Sequence, residues 1–480
     1  MRILHVGWGF TPWRGGGLIR YAEDVMEGQA RAGHEVTYVF SGRRYPWFRR
    51  PRLHRWRRAG VGMLEIMNAP LAVGGTHTPE LDLAEPQTER LLRGVIARVR
   101  PDVMHVQELA GLPSAVIDLA HEAGVPVVFT LQDYFGLCPT FKLFDADGRI
   151  CDRLQPGPMC QVCCAAAPGH TGPIAARTAY FEADRVLRRV PRARAPLLAA
   201  GRELRRQRRA ARPAESEPAA SAPPASASAY QRRRDVNVER LGRVDALVAT
   251  STRVAEMQRE RGVDDRHLST VHLTVGHVDA LAARRIDRPP RPVHFATLNG
   301  ASGLEKGVHV IREALEHLDE LGLGRGEYRL TVFGAVDPGV RDALERHATV
   351  DLRGIYTSEA LDGMLADVDV GLVPSIWEEP YAHTGLEFLA KGIPVIANAR
   401  GGLTDYTLPG VTGWLNASAG GRELADIMSG ISRRPEQVLE LHRSVVARRA
   451  ELIKPLARHL AELDEIYAGV IERRRGGPRA

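Results

Sequence analysis

The feature that most limits how this chain can fold is a repeated alternation of short apolar runs with amphipathic segments. "RILHVGW" at 2–8 is apolar without helical period, and "TPWRGGG" at 11–17 is turn chemistry. "LIRYAEDVMEGQARAG" at 18–33 places apolar side chains at every third or fourth position, and "HEVTYVF" at 34–40 returns to a strand pattern. The alternation resumes with "DVMHVQ", "PSAVIDLAHEAG" and "VPVVFTLQ" between 102 and 132. Strands separated by helices cannot pair as hairpins, so they build a parallel sheet covered on both faces.

A chain of 480 residues exceeds what one core sustains, and the pattern starts again in its second half. "VHFATLN", "YRLTVFGA", "VDVGLVPS" and "PVIANAR" read as strands there. The expected architecture is α/β: two doubly wound, Rossmann-like domains facing a cleft, with the ligand at the carboxyl ends of the strands. The first domain is placed at 1–255, the second at 256–455, and a C-terminal helix and tail at 456–480. Two stretches interrupt the pattern, a Cys-rich segment at 138–164 and an insertion at 205–232. The insertion includes "ARPAESEPAASAPPASASA", which has almost no large apolar side chains to offset its ordering entropy and is expected to be disordered.

The net charge of +7 does not indicate nucleic acid. Residues 202–234 hold nine Arg and three Glu, so this stretch alone supplies +6 and leaves no spread basic face. The 65 basic residues include only Lys142, Lys306, Lys391 and Lys454 as lysines, which makes each lysine position informative. The N-terminal "MRILHVGWGF" lacks a signal-peptide layout, and no apolar run is long enough to span a bilayer, so the expected location is cytoplasmic.

Chemistry concentrates in "PSIWEEPYAHTGLEFLAKGIPVIANARGG", 374–402. A strand ends at Pro374 and Ser375, and a loop leads into the helix "LEFLAKG". Free N–H groups at that helix start suit a phosphate. Glu379 and Glu387 stand eight apart on the same crevice, and carboxylates beside a phosphate site suit vicinal hydroxyls. Sugar, ribose and diphosphate together are the ligand that fits.

The segment resembles the E-x7-E signature of the retaining family 4 glycosyltransferases, which have the GT-B fold. "GGGLIRYAEDVMEGQARAGHEV", "PDVMHVQELAGLP", "GVPVVFTLQDYFGLCP" and "GLEKGVHVIREAL" resemble other motifs of that family in the same order. The resemblance implies transfer of a sugar from a nucleotide-sugar donor to an acceptor, with retention, no catalytic cofactor, and C-terminal helices crossing back to the first domain. It implies that Glu387 holds ribose hydroxyls, Glu379 the hydroxyls of the donor sugar, and Lys306 the diphosphate. Backbone groups near His383 and Thr384 complete the phosphate cradle. Gly16 and Gly17 let the first loop approach the reacting carbon, and Gly354 and Ile355 lie against the base. Gln132 and Asp133 occupy the place where the family often has His-Asp, and Gln cannot shuttle a proton. The Arg usual before the "KG" lysine is missing from "TLNGASGLEKG", which leaves Asn299 or backbone amides to replace it. An altered or inactive sugar-nucleotide-binding protein and an epimerase are the rival readings.

Cys138, Cys151, Cys160 and Cys163, with Cys164 adjacent, have spacings that can enclose a structural zinc, with free thiols or one disulfide as alternatives. "RRYPWFRRPRLHRWRR", 43–58, mixes eight Arg with Tyr45, Trp47, Phe48 and Trp56. That mixture suits an anionic membrane surface or a lipid-linked or anionic acceptor, with a solvated Arg-rich loop as the alternative.

Overall fold

The computed structural model describes residues 1–48, 50–71, 76–165, 172–188, 190 and 225–476. The first sheet contains β1 (Arg2–Gly7), β2 (Glu35–Ser41), β3 (Arg52–Arg58), β4 (Val61–Met67), β5 (Val103–Val106), β6 (Val127–Leu131), β7 (Ala246–Ala249) and β8 (Leu268–Thr270). Their order across the sheet is β3-β4-β2-β1-β5-β6-β7-β8. The second sheet contains β9 (Val293–Thr297), β10 (Tyr328–Phe333), β11 (Val350–Gly354), β12 (Val370–Val373), β13 (Val395–Asn398) and β14 (Gly413–Asn416), in the order β11-β10-β9-β12-β13-β14. Every pairing is parallel except β3 with β4. β1, β5 and β6 are buried along nearly their whole length, as continuous apolar strands of a doubly covered sheet must be. β8 pairs with β7 and carries the first sheet past residue 255, where the sequence pattern ended that domain.

Two segments depart from expectation. The tail of the predicted disordered insertion is ordered: a helix spans Ala227–Gly242, started by Ser226, whose hydroxyl accepts from the Ala229 N–H. The rest of that insertion, 205–224, lies outside the described residues. The helix carries the basic run inward. Arg233 Nε donates to Asp82 at 2.7 Å with both side chains fully buried, its Nη2 donates to the Phe135 carbonyl, and its plane stacks over the Phe135 ring. An ion pair in the core, invisible to composition, thus fixes residues that read as a solvated charge run. Likewise, 52–58 is an edge strand whose arginines blunt an otherwise open ladder.

The last helix, Leu456–Gly476, packs against helix Gly17–Arg31 of the first domain, as the GT-B expectation required. Its Tyr467 enters a buried chain of hydrogen bonds beneath the first sheet. Gln132 Nε2 donates to Gln107 Oε1 (2.9 Å), Gln107 Nε2 to His5 Nδ1 (3.1 Å), and His5 Nε2 to Gln29 Oε1 (2.7 Å). Gln29 Nε2 donates to the Tyr467 hydroxyl (3.0 Å), that hydroxyl to His105 Nδ1 (2.6 Å), and His105 Nε2 to Thr130 (2.7 Å). This donor sequence requires both imidazoles to be neutral. Burial enforces it, lowering His5 to about 4 and His105 well below the usual histidine value. His459 in the same helix is brought to about 3 by burial and then by Lys454.

An unfolded histidine takes up its proton near pH 6.5, whereas these side chains take it up only near 4 or below. Their stabilisation is therefore complete above about pH 6.5 and is lost as the pH falls towards 4, by about 1.4 kcal/mol per histidine per unit. The thermal midpoint should fall steeply between about pH 6.5 and 4.5, and this loss should be shallower in His5→Gln. An equal slope in that variant would contradict the assignment.

Candidate active site

β12 ends at Val373, and the loop that begins at Pro374 bends back over the start of helix Val308–Glu320. That approach explains the glycine after Lys306. Gly307 has φ +78°, and a Cβ there would lie 1.8 Å from the Pro374 carbonyl oxygen. The tight passage brings Lys306 against Glu379. Lys306 Nζ donates to both carboxylate oxygens at 3.0 and 2.8 Å, and Ser375 and Trp377 Nε1 add hydrogen bonds of 3.0 and 2.8 Å. Burial acts to raise the Glu379 carboxyl, but the charge of Lys306 and these donors outweigh it and hold the group below the usual carboxylate range. The ammonium also lies 5.3 Å from the centre of the Trp377 ring.

A cavity of about 250 Å³ opens here between the two domains. It is lined by Gly17 and Gln132 from the first domain and by Asn299, Lys306, Glu379, His383 and Thr384 from the second, among others. A Cβ on Gly17 would approach His383 Nδ1 to 2.8 Å, so glycine permits the two walls to come this close. His383 begins helix His383–Ala390. Burial first, then the neighbouring His277, lowers it to about 4, which leaves a neutral ring whose buried Nε2 has no partner. Thr384 donates to Asn299 Oδ1 at 3.2 Å, so Asn299 stands in this wall, where the sequence lacked an arginine. The first domain clamps the loop from the other side: Tyr134 donates to the Glu378 carbonyl at 2.9 Å, Arg253 pairs with the Glu378 carboxylate, and Lys142 pairs with Glu305.

Not every expected residue lines this cavity. Glu387 is one turn further along the helix, where His277 Nε2 donates to its Oε1 at 2.7 Å, while its buried Oε2 has no partner. Gly354 and Ile355 line a separate cavity of about 440 Å³ with Tyr356, and Ile355 is 85% exposed. Burial first, then the Glu387 charge, raises the Tyr356 phenol well above its usual range. Gly16 precedes the helix at φ +115°, with open space around it. Asp133 accepts from the Phe135 N–H and faces Glu108. Burial raises both carboxyls, and the neighbouring Asp133 pushes Glu108 well above its usual range. Sequence reasoning missed Glu108, His277 and Gln107. Their only signals were a charged residue directly after a strand and polar residues inside apolar runs.

The expected zinc finds no formed ligand set. Among the described residues no group of three or more His, Cys, Asp or Glu is arranged to hold a metal ion. The five cysteines are free, and burial raises Cys163 to about 11 and Cys164 to about 12. Cys160 and Cys164 pack with Tyr230 as a small core of their own.

Residues 16–215 match the glycosyl transferase 4-like domain, and residues 293–433 match the glycosyl transferases group 1 domain. The chain thus carries a glycosyl transferase 4-like domain followed by a glycosyl transferases group 1 domain. It is 29% identical over 178 residues to the putative colanic acid biosynthesis glycosyltransferase WcaL of Salmonella typhimurium, covering 35% of this chain and 43% of that one. It is 26% identical over 165 residues to the amylovoran biosynthesis glycosyltransferase AmsK of Erwinia amylovora, covering 33% and 40%. The alignments thus span less than half the length of these curated relatives. Among solved structures, HepE of Anabaena in complex with UDP and glucose superposes with a TM-score of 0.58 at 12% identity, covering 98% of this chain and 99% of that one. Sucrose-phosphate synthase of Thermosynechococcus elongatus gives 0.59 at 14%, with the same coverage. These likenesses identify the fold as GT-B.

The Lys306–Glu379 pair makes the stability of the protein depend on the charge of Glu379. In Lys306→Met, only the Ser375 and Trp377 hydrogen bonds are left to oppose burial, and Glu379 should rise above the usual carboxylate range. The variant should lose about 3 kcal/mol at neutral pH. Protonating Glu379 relieves that penalty, so the gap in thermal midpoint to wild type should narrow as the pH drops to about 5. A gap independent of pH would show that Glu379 is not held ionised by Lys306.

Proposed function

We propose that the chain transfers a sugar from a nucleotide-sugar donor to an acceptor with retention of anomeric configuration. The observation that carries this reading is the cavity in which Lys306, Asn299, Thr384 and the start of helix His383–Ala390 converge from one domain opposite Gly17 and Gln132 of the other. Cationic and N–H donors collect on one wall, which suits a departing diphosphate. The unpartnered Glu387 Oε2 is a buried acceptor beyond that wall, suited to ribose hydroxyls, with the base towards Gly354 and Ile355. The similar HepE structures are complexes with UDP and glucose and with UDP-glucose, and the curated relatives are named for colanic acid and amylovoran biosynthesis. A donor of this class and a growing polysaccharide or its lipid-linked precursor as acceptor agree with both.

In the proposed reaction the acceptor hydroxyl attacks the anomeric carbon from the face the diphosphate leaves. The C–O bond to phosphate breaks as the new glycosidic bond forms, and the leaving phosphate oxygen takes the acceptor's proton. Gln132 then needs no proton to give. Its Nε2 is committed to Gln107, and its unpartnered Oε1 is free to accept a hydrogen bond from a sugar hydroxyl. Glu379, ionised and held by Lys306, adds a negative charge beside the carbon that turns cationic in the transition state.

The hairpin of β3 and β4 supports contact with an anionic membrane. Trp47 is 74% exposed, and Arg50, Arg52, Arg55 and Arg57 are exposed beside it. Trp56, which the sequence pattern grouped with them, instead packs edge-on against Phe10 and Phe40, and Arg43 is engaged by Glu65 and Glu182. None of the described helices is long and apolar enough to cross a membrane.

Thermal-shift screening against UDP-, GDP-, ADP- and dTDP-sugars tests the donor reading. One nucleotide class at about a hundred times its Kd should stabilise the protein by about 2.7 kcal/mol, and Glu387→Ala and Lys306→Ala should abolish the effect. Stabilisation by none of the four classes would remove the proposal. For the membrane contact, the protein should sediment with phosphatidylglycerol vesicles, and the change of Trp47, Arg52, Arg55 and Arg57 to Ser should release it. Unchanged sedimentation in that variant would rule out the hairpin as the contact.

A further inference from the structure

The loop between β1 and helix Gly17–Arg31 contains buried hydrogen-bond donors that find no acceptor among the described residues. Trp8 Nε1, Trp13 Nε1, Arg14 Nε and Arg14 Nη2 are all closed off from solvent and have no partner there. Arg14 is only 4% exposed. Its guanidinium carbon lies 4.7 Å from the Trp8 ring centre and 5.8 Å from that of Trp13, so the side chain is stacked in place. Gly9 gives it room, since a Cβ there would meet the Arg14 methylenes at 3.1 Å.

The groups around this guanidinium do not neutralise it. Arg177, on helix Gly172–Leu187, adds a like charge, and Tyr38 is a phenol whose hydroxyl donates to the Gly9 carbonyl. Glu108 is the nearby carboxyl, but one of its oxygens accepts from the Leu109 and Ala110 N–H groups, and burial together with the adjacent Asp133 pushes it well above its usual range. Burial lowers Arg14 to about 10, so it remains a cation at neutral pH. A buried cation among unused donors is costly to the protein alone, and an anion that accepts from them removes the cost.

Position says which anion. The loop follows the carboxyl end of β1, as Glu108 follows β5 and Gln132 and Asp133 follow β6, and Gly17 at its far end lines the cleft cavity. We propose that Arg14, with the indole N–H of Trp8, is the anion-binding element of the acceptor site, so that the acceptor carries a phosphate or carboxylate near the hydroxyl that is glycosylated. This rests on the transferase reading given above. The planar guanidinium presents two parallel N–H groups, which match either anion, and Trp8 supplies a third donor and an apolar face for a sugar ring.

The test uses the full chain in the Lys306→Ala background, which removes the cation expected to bind phosphate on the donor wall. Inorganic phosphate and glucuronate are titrated while tryptophan fluorescence is followed. At least one anion should bind, and Arg14→Gln should weaken it by about tenfold or more. Arg14→Lys, which keeps the charge but loses the fork, should fall between the two and guards against a folding defect in the Gln variant. Preference for phosphate assigns the acceptor group to a lipid-linked or sugar phosphate, and preference for glucuronate assigns it to an acidic glycan. Equal affinity in folded Arg14→Gln, or no binding of either anion before the Arg14 change, would overturn the proposal. Nucleotide-sugar stabilisation of Arg14→Gln in the Lys306 wild-type background separates the two readings. Donor binding retained while anion binding is lost supports this site, whereas a wild-type chain that binds no donor fails the transferase reading and leaves the anion result standing.

Discussion

A carboxylate taken out of water stays ionised only if a cation and several donors are held against it, and the cleft is organised around that requirement at Glu379. Lys306 reaches it because Gly307 lets the β12 loop pass within contact of the helix start. The loop is fixed from its other face as well, by Gly402 N–H to the Glu379 carbonyl and by Gly401 N–H to Glu378. Tyr134 and Arg253 of the first domain then hold the Glu378 segment. One electrostatic demand therefore determines the path of a loop, the residue beside Lys306 and part of the contact between domains.

The same logic operates under the first sheet, with neutral groups in place of ions. Gln132, at the cleft, is oriented by a line of side chains whose every member donates in the same sense, ending at Thr130 by way of Tyr467. Each amide and imidazole in that line has its orientation imposed by the next, which is how a buried polar network specifies one arrangement. Gln132 is thus held in one orientation, with its Oε1 unpartnered at the cleft cavity.

Much of the fold was legible in the sequence because parallel strands buried on both faces must be short and apolar, and "RILHVGW", "HEVTYVF" and "VPVVFTLQ" could be little else. The hairpin strand β3 was not, because its arginines serve an edge and their charge masked the period. The helix at Ala227–Gly242 was hidden for a different reason: its order comes from Arg233 reaching Asp82 across the core, and no local pattern encodes that contact. Within the site, the family resemblance implied that Lys306, Glu379, His383 and Thr384 belong together. It did not indicate that Lys306 neutralises Glu379 directly, or that Glu387 turns towards His277, because both depend on how loops from distant strands meet.

The crossing of the final helix back onto the first domain has a consequence for how the protein is made. Gln29 and His105 lie in the first quarter of the chain, yet the hydroxyl that satisfies both belongs to Tyr467. During synthesis the first domain can form its early strands, but these two side chains stay unmatched until residue 467 has been made. The first domain is thus completed only after every strand of the second sheet has been synthesised.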